Sequence, residues 1–406
     1  MIAPMASSPE LRSLPAAAPV LAALNADPRV WVVGGAVRDL LLGRPVVDLD
    51  MVIEGDAIAV ARRLGEALDG PVTVHDRFGT ATVIAGGHVY DLASARAETY
   101  ARPGALPDVT PGSLSDDLLR RDFTINAIAL ALDGRIEAAR GAFDDLDARV
   151  LRVLHGESFL DDPTRLLRLV RYATRLGFAV EPQTRALADA AVAGGALATV
   201  TPTRVGAELR LLLREPSAVA ALAWIGAWEG TPLGIALSLD PALAERALAL
   251  LPGDGRRDLV LLAAAVRSVP AVALAARLDE LGFSARERDT VVACARAKGI
   301  EGRLAAAGRP SEIAAAVRGT PVEAVALAGA LASPAGSSAA EGAARAWLAD
   351  LRHVRLEIDG ADLLAAGLPQ GEAVGQALAA ALRARLDGEA SDRNAQLTVA
   401  LAAAAR

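Results

Sequence analysis

Two aspartates one residue apart, Asp48 and Asp50, lie at the start of the strand-like run 49–53 (LDMVI). Residues i and i+2 of a strand point to the same face, so both carboxylates are expected on one side. Their neighbours Val47, Leu49 and Met51 are then expected to face the core. Two carboxylates forced together repel, and a divalent cation between them removes that penalty. Mg²⁺ suits the place, because it takes oxygen ligands, commonly one or two carboxylates completed by substrate phosphates. Just upstream, Gly34 and Gly35 follow the strand-like run VWVV and precede a helix-like run that carries Arg38 and Asp39. Glycines permit close backbone approach. A helix N-terminus offers free N–H groups and a positive dipole end. Together they suit a triphosphate. A bare D-x-D is equally well a polar strand edge with two solvated acids; its position just after the Gly-Gly turn favours the metal.

Two further clusters carry polar residues. In residues 119–130 (LRRDFTINAIAL), Arg121, Asp122 and Asn126 interrupt an otherwise apolar run. Taken alone, they read as a helix-cap pair. In residues 158–178 (SFLDDPTRLLRLVRYATRLGF), Pro163 marks a first helical turn with Asp162 as its N-cap. Arg165, Arg168, Arg171 and Arg175 then share one face, and Leu166, Leu169, Ala173 and Leu176 another. The plain reading is an amphipathic helix with an exposed basic face.

Residues 31–54 (WVVGGAVRDLLLGRPVVDLDMVIE) resemble the first motif of the polymerase β-type nucleotidyltransferases. More closely, they resemble that of the class II tRNA nucleotidyltransferase and bacterial poly(A) polymerase family. The string R-R-D-F-T-x-N-A at 120–127 is similar to that family's second motif. The resemblance implies that Gly34, Gly35, Arg38 and Asp39 support a triphosphate. It makes Asp48 and Asp50 the catalytic, Mg²⁺-binding pair. It assigns Arg121, Asp122 and Asn126 to the nucleotide's sugar and phosphates, an acceptor near the 2′-hydroxyl selecting ribose. The family's base-reading pair lies in an E-D-x-x-R string, here Asp161, Asp162 and Arg165, with Asp161 in place of Glu. Arg168 joins the expected nucleotide-binding set. A carboxylate accepts and a guanidinium donates. Cytosine and adenine each offer an amino donor beside a ring acceptor, whereas guanine and uracil present a ring N–H there. Asp162 with Arg165 is therefore expected to read C and A without a template.

The implied activity is addition of CCA to the 3′ end of tRNA from CTP and ATP, with tRNA, CTP and ATP as partners. A partial CC- or A-adding enzyme and a poly(A) polymerase are alternatives within the family. Outside it stands a non-catalytic helical RNA-binding scaffold, against which the retained Asp48 and Asp50 argue. A D-x-D glycosyltransferase leaves the second and third motifs unexplained.

The elements expected to position these residues form an α+β fold. A polymerase β-type head with a small mixed sheet spans 21–154, after a loose leader at 1–20. An all-helical neck (155–215), then a body and tail (216–406), follow. Strands are predicted at 30–33, 49–53, 80–84 and 88–92, and helices at 37–42 and 57–68. Asp91 reads as a structural acid rather than a third metal ligand. Residues 101–115 resemble the family's mobile loop, and 356–378 its tail. Arg204 and Glu208 read as a structural i,i+4 pair. Helical breaks are expected at 201–202, 215–216, 251–255, 308–310 and 333–338.

The net charge of −7 disfavours a broad, non-specific nucleic-acid binder. Lys298 is the sole lysine, so phosphate contacts fall to arginine, which forks onto phosphate as lysine does not. Hydrophobic residues make up 53%, yet no apolar run of about 20 residues that would span a bilayer appears. Residues 259–266 (LVLLAAAV) read as a buried helix. The single Cys294 excludes an internal disulfide and fits a reducing cytoplasm. His75, His88, His155 and His353 have no metal-ligand spacing.

Overall fold

Strand β1 (Val30–Val33) is buried at every residue and lies inside a seven-stranded sheet, with a strand on each side. The computed structural model describes residues 11, 14–24, 27–75, 79–230, 232–331 and 338–405. These form two compact units, Met1–Val205 and Gly206–Arg406. The division falls inside the segment expected as the neck.

The first unit opens with helix α1 (Ala17–Leu24), then β1 and helix α2 (Gly35–Leu41). Strand β2 (Leu49–Ile53), helix α3 (Ala57–Leu68) and strands β3 (Val72–His75), β4 (Thr80–Ala85) and β5 (His88–Ser94) follow. A hairpin, β6 (Arg96–Thr99) and β7 (Asp108–Pro111), leads to helix α4 (Leu114–Leu119) and strands β8 (Ile128–Ala131) and β9 (Ile136–Ala138). The main sheet has the order β3-β4-β5-β2-β1-β8-β9. Its β2–β5 pair is parallel and its other pairs are antiparallel, so the mixed α+β head stands.

Local chemistry explains the boundaries. Asp56 caps α3 by accepting from the Ala59 N–H at 3.0 Å, and Asp69 ends it in a left-handed conformation at φ 49°. Ala57, Val60, Ala61 and Leu64 form the buried face of α3, the 3–4 spacing of an amphipathic helix. Beyond the hairpin and β9, helix α5 (Ala142–Ala148) and short strand β10 (Val150–Leu151) lead to helix α6 (Ser158–Asp161). Then come helix α7 (Arg165–Leu176), strand β11 (Ala179–Val180), helix α8 (Pro182–Ala193) and helix α9 (Pro202–Arg214).

Several expectations need correction. Leu11, Ala16, Ala17 and Val20 are buried, so the described end of the leader is part of the head; residues 1–10, 12 and 13 lie outside the described residues. Val47 is 61% exposed rather than core-facing, because β2 begins only at Leu49; Leu49 and Met51 are buried as expected. Residues 101–115 are not all loop, since they contain β7 and the start of α4. Ser113 fixes that start through a capping box with Asp116. Strands β3, β8 and β9 were not foreseen; the buried run IALA of β8 has no alternation to mark it. Most of the break at 333–338 lies outside the described residues.

The second unit is helical. Its helix Arg257–Val266 is buried from Asp258 onward, as the run 259–266 implied. Cys294 is buried. Ile358, Leu363, Ala377, Ala381 and Ala400 form a separate small core near the C-terminal end. No helix among the described residues is long and apolar enough to cross a membrane.

Gly206 on α9 lies where a Cβ would come 1.9 Å from the Leu281 carbonyl oxygen. In an open helix, Gly→Ala stabilises by about 1 kcal/mol. Here Gly206→Ala is expected to destabilise by about 1–3 kcal/mol through overpacking. Denaturant midpoints of the two proteins check the sign.

Candidate functional site

Asp50 projects from β2 into a cavity of about 380 Å³ lined by Asp91, Thr82, His75, Arg120 and Arg121 among others. The parallel pairing of β2 with β5 sets Asp91 directly beside Asp50. The Thr82 hydroxyl donates to Asp91 Oδ1 at 2.6 Å. Asp48 lies one pleat earlier, where its Oδ1 accepts from the Val89 N–H at 3.1 Å. Solvent reaches Asp50, but protein atoms crowd its carboxylate. Its pKa is raised, first by that burial, then by Asp91 and Asp48, against the pull of Arg121 and Arg168.

Such crowding of negative charge suits a cation. Among the described residues no group of three or more His, Cys, Asp or Glu is arranged to hold an ion by itself. Mg²⁺ commonly uses one or two carboxylates and takes further oxygens from substrate phosphates. Asp48 and Asp50 therefore fit the ion, with Asp91 beside them.

Gly34 lies against Arg121, which lines that cavity. It caps α2 at φ 68°, a conformation that favours glycine. A Cβ there would meet Arg121 Nη1 at 2.8 Å, so glycine also makes room for that guanidinium. Arg121 Nη2 donates to Asp117 Oδ2 at 2.8 Å. Its Nε is buried with no hydrogen-bond partner among the described residues. Asp117, fully buried, also holds Arg120, with Nε to Oδ1 at 2.9 Å.

A buried polar chain joins the three motifs. Arg38, 2% exposed, forks onto Asp39 with both contacts at 2.9 Å. Its Nη1 donates to Asn126 Oδ1 at 2.7 Å. Asn126 Nδ2 donates to Asp122 Oδ1 at 2.9 Å, which also accepts from the Phe123 N–H. Asp122 Oδ2 accepts from Arg168 Nε and Nη2 at 2.8 and 2.6 Å. The Tyr172 ring lies within 5.6 Å of the guanidiniums of Arg38, Arg168 and Arg171. Burial pushes the Asp122 carboxyl up, but Arg168 and Asn126 outweigh it and hold it at about 2.

The third motif begins differently from expectation. Helix α7 starts at Arg165, after Asp162 has closed α6, so Asp162 is not its N-cap. The Asp162 carboxylate instead takes a local turn: Oδ1 accepts from the Thr164 N–H at 3.1 Å and from its hydroxyl at 2.6 Å. Arg204 Nη2 donates to the same oxygen at 2.9 Å. Arg165, 5% exposed, donates to Ser158 Oγ at 2.7 Å and to the Arg120 carbonyl at 2.6 Å. The arginines of α7 are thus not a solvated stripe. Arg165 and Arg171 are buried, while Leu166, Leu169, Ala173 and Leu176 supply the apolar packing.

The structure places Asp50 and Arg121 in the acidic cavity, with Gly34 against Arg121 and Asp48 one pleat from Asp50. It places Arg38, Asp39, Asn126, Asp122 and Arg168 in the buried chain, and Asp162 and Arg165 at the α6–α7 turn. Asp122, expected at the sugar, has both oxygens engaged by protein. Asp91 stands beside Asp50 through the β2–β5 register, a neighbour that sequence spacing does not reveal. Asp117 and Arg204 were missed as partners; the S-x-x-D box at 113–116 was the local sign of a helix presenting Asp117.

Residues 30–152 match the family described as the poly A polymerase head domain. The chain is 34% identical over 401 residues to an A-adding tRNA nucleotidyltransferase of Geobacter sulfurreducens, covering 92% of this chain and 45% of that protein. It is 41% identical over 222 residues to a CC-adding tRNA nucleotidyltransferase of Deinococcus radiodurans, covering 53% and 58%. The chain spans about half the length of these curated relatives. Among solved structures, a CCA-adding enzyme in its apo form II aligns at TM-score 0.82 and 28% identity over 98% of both chains. The Thermotoga maritima CCA-adding enzyme complexed with tRNA aligns at TM-score 0.78, also with 28% identity over 98% of both. Head motifs, fold and relatives agree, and the chain belongs to the class II tRNA nucleotidyltransferase and bacterial poly(A) polymerase family.

Proposed function

We propose that this chain is a nucleotidyltransferase that adds CCA to the 3′ end of tRNA from CTP and ATP, releasing pyrophosphate. The observation that carries this reading is the state of Asp162 and Arg165. Each is held by its own partners, and each keeps hydrogen-bonding capacity in reserve. Asp162 Oδ1 is saturated, and Oδ2 is left to accept from an exocyclic amino group. Arg165 uses two of its five N–H groups on Ser158 and Arg120, leaving donors for a ring nitrogen. An acceptor beside a donor matches the edges of C and A.

In this reading the tRNA 3′-hydroxyl attacks the α-phosphate and the diphosphate leaves. Asp48 and Asp50 would hold Mg²⁺, which when bound supplies activation of the hydroxyl and neutralises charge on the leaving oxygen. Arg121, with its Nε unsatisfied beside the acids, is placed to donate to a phosphate oxygen. Gly34 keeps the backbone clear for that approach. Asp122 acts through Arg168, fixing its guanidinium rather than touching the sugar. The buried thiol of Cys294 is compatible with work in a reducing cytoplasm.

A second reading, a partial enzyme adding only the terminal A, is favoured by relatives that carry the name A-adding tRNA nucleotidyltransferase. Three tRNA transcripts, ending before CCA, after C and after CC, separate the readings when each nucleotide is supplied alone and in mixture. Growth by C, C and A that then stops is expected. Acceptance of the CC-ended tRNA alone would establish the partial enzyme, and a long A ladder a poly(A) polymerase. No incorporation would return the scaffold.

Asp48→Ala and Asp50→Ala are expected to abolish transfer while tRNA binding, followed by gel shift, persists; full activity in both would remove the metal assignment. Arg165→Ala is expected to lower the preference for CTP and ATP over UTP and GTP by about tenfold or more, the worth of a charge-assisted hydrogen bond. Single-nucleotide incorporation rates measure it.

A further inference from the structure

Arg204 stands on the first turn of α9, where sequence spacing offered only an i,i+4 pairing with Glu208. Its guanidinium instead spans two other segments. Nη2 donates to Asp162 Oδ1 at 2.9 Å, and Nη1 donates to the Gly104 carbonyl at 3.2 Å. Gly104 lies in the turn that joins β6 to β7. That turn is closely docked, because the Gly104 N–H donates to the Leu160 carbonyl at 3.0 Å. At φ +70° Gly104 adopts a conformation that favours glycine, and a Cβ there would lie 2.2 Å from Thr199 Oγ1 and 2.8 Å from the Thr199 backbone.

We infer that Arg204 is a specificity-determining positioning residue, which straps the hairpin turn at Gly104 to Asp162 and fixes the plane in which that carboxylate presents its free oxygen to the incoming base. The inference rests on the proposed function. The terminal torsion of a carboxylate is broad, so its plane can swing and re-aim the free oxygen. Thr164 alone does not prevent that, since its N–H and hydroxyl both reach Asp162 from one residue. Arg204 adds a charged donor from a fixed direction, so Oδ1 is occupied and Oδ2 is presented. The pair is partly open to solvent, with side chains 26% and 22% exposed, as a site entered by a base must be. A lysine has one compact ammonium in place of the planar fork and cannot hold both acceptors in the same geometry.

The test uses the full chain with Arg204→Gln, Arg204→Lys and Gly104→Ala. Single-nucleotide addition to tRNA ending before CCA and after CC gives kcat and KM for CTP, ATP, UTP and GTP, and thermal melting is followed in parallel. Arg204→Gln is expected to raise KM for CTP and ATP and to lower their preference over UTP and GTP roughly tenfold, with a smaller change in kcat. Arg204→Lys should recover part of the preference. Gly104→Ala, which dislodges only the hairpin end of the strap, should fall between wild type and Arg204→Gln. Unchanged discrimination in Arg204→Gln overturns the inference, whether its melting temperature is kept or lowered. Calorimetric binding of CTP and UTP reads the strap independently of transfer. Wild type that prefers CTP in binding yet extends no tRNA would defeat the proposed function alone. Equal preference in wild type and Arg204→Gln would defeat the strap alone.

Discussion

The buried carboxylate of Asp122 is where the three motifs meet. One oxygen takes Asn126, and through it Arg38 and Asp39; the other takes both prongs of Arg168. Removing water from such a group disfavours its charge, and only several donors together reverse that. They do so here, holding the carboxyl at about 2. A carboxyl held below its ordinary value lends stability above about pH 4. That contribution is lost as pH falls through about 2, so the chain of contacts is intact across the neutral range. Breaking such a pair leaves an uncompensated buried charge and costs about 3–5 kcal/mol, although the intact pair adds little net stability. Its worth here is registry: it sets the α2, second-motif and α7 side chains in one arrangement.

Asp50 is shifted in the opposite sense, with burial and two neighbouring carboxylates raising it. The contrast separates an acid satisfied by protein from an acid left with unmet demand. Demand of that kind marks sites that take a ligand. Arg121 shows it from the cationic side, with a buried Nε unsatisfied beside the same cavity.

Much of this was legible in the chain. The alternation of Leu49, Asp50 and Met51 pointed to the strand and its face, and α3 spans the helix expected at 57–68. The residues assigned to the site by resemblance fall in three groups: at the acidic cavity, along the chain through Asp122 and at the α6–α7 turn. What sequence could not show is pairing across distance. Asp91 depends on the register of β2 with β5, and Arg204 on the docking of a turn a hundred residues upstream. Arg165 and Arg171 have the spacing of a solvated face, yet they are buried, because carbonyls, hydroxyls and the Tyr172 ring meet them. Periodicity records which residues share a face, but not whether that face meets water or polar groups of its own fold.

In the proposed function, base choice and phosphoryl chemistry sit on different segments, and two polar routes run between those segments. One passes from Arg168 through Asp122 and Asn126 to Arg38. The other passes from Arg165 through the Arg120 carbonyl to Asp117, which Arg120 and Arg121 share, and so to the acidic cavity. Both routes are built from planar guanidiniums with several donors each, which explains how one arginine serves a partner and keeps donors for a ligand. A lysine in either route would spend its single charge on the protein contact.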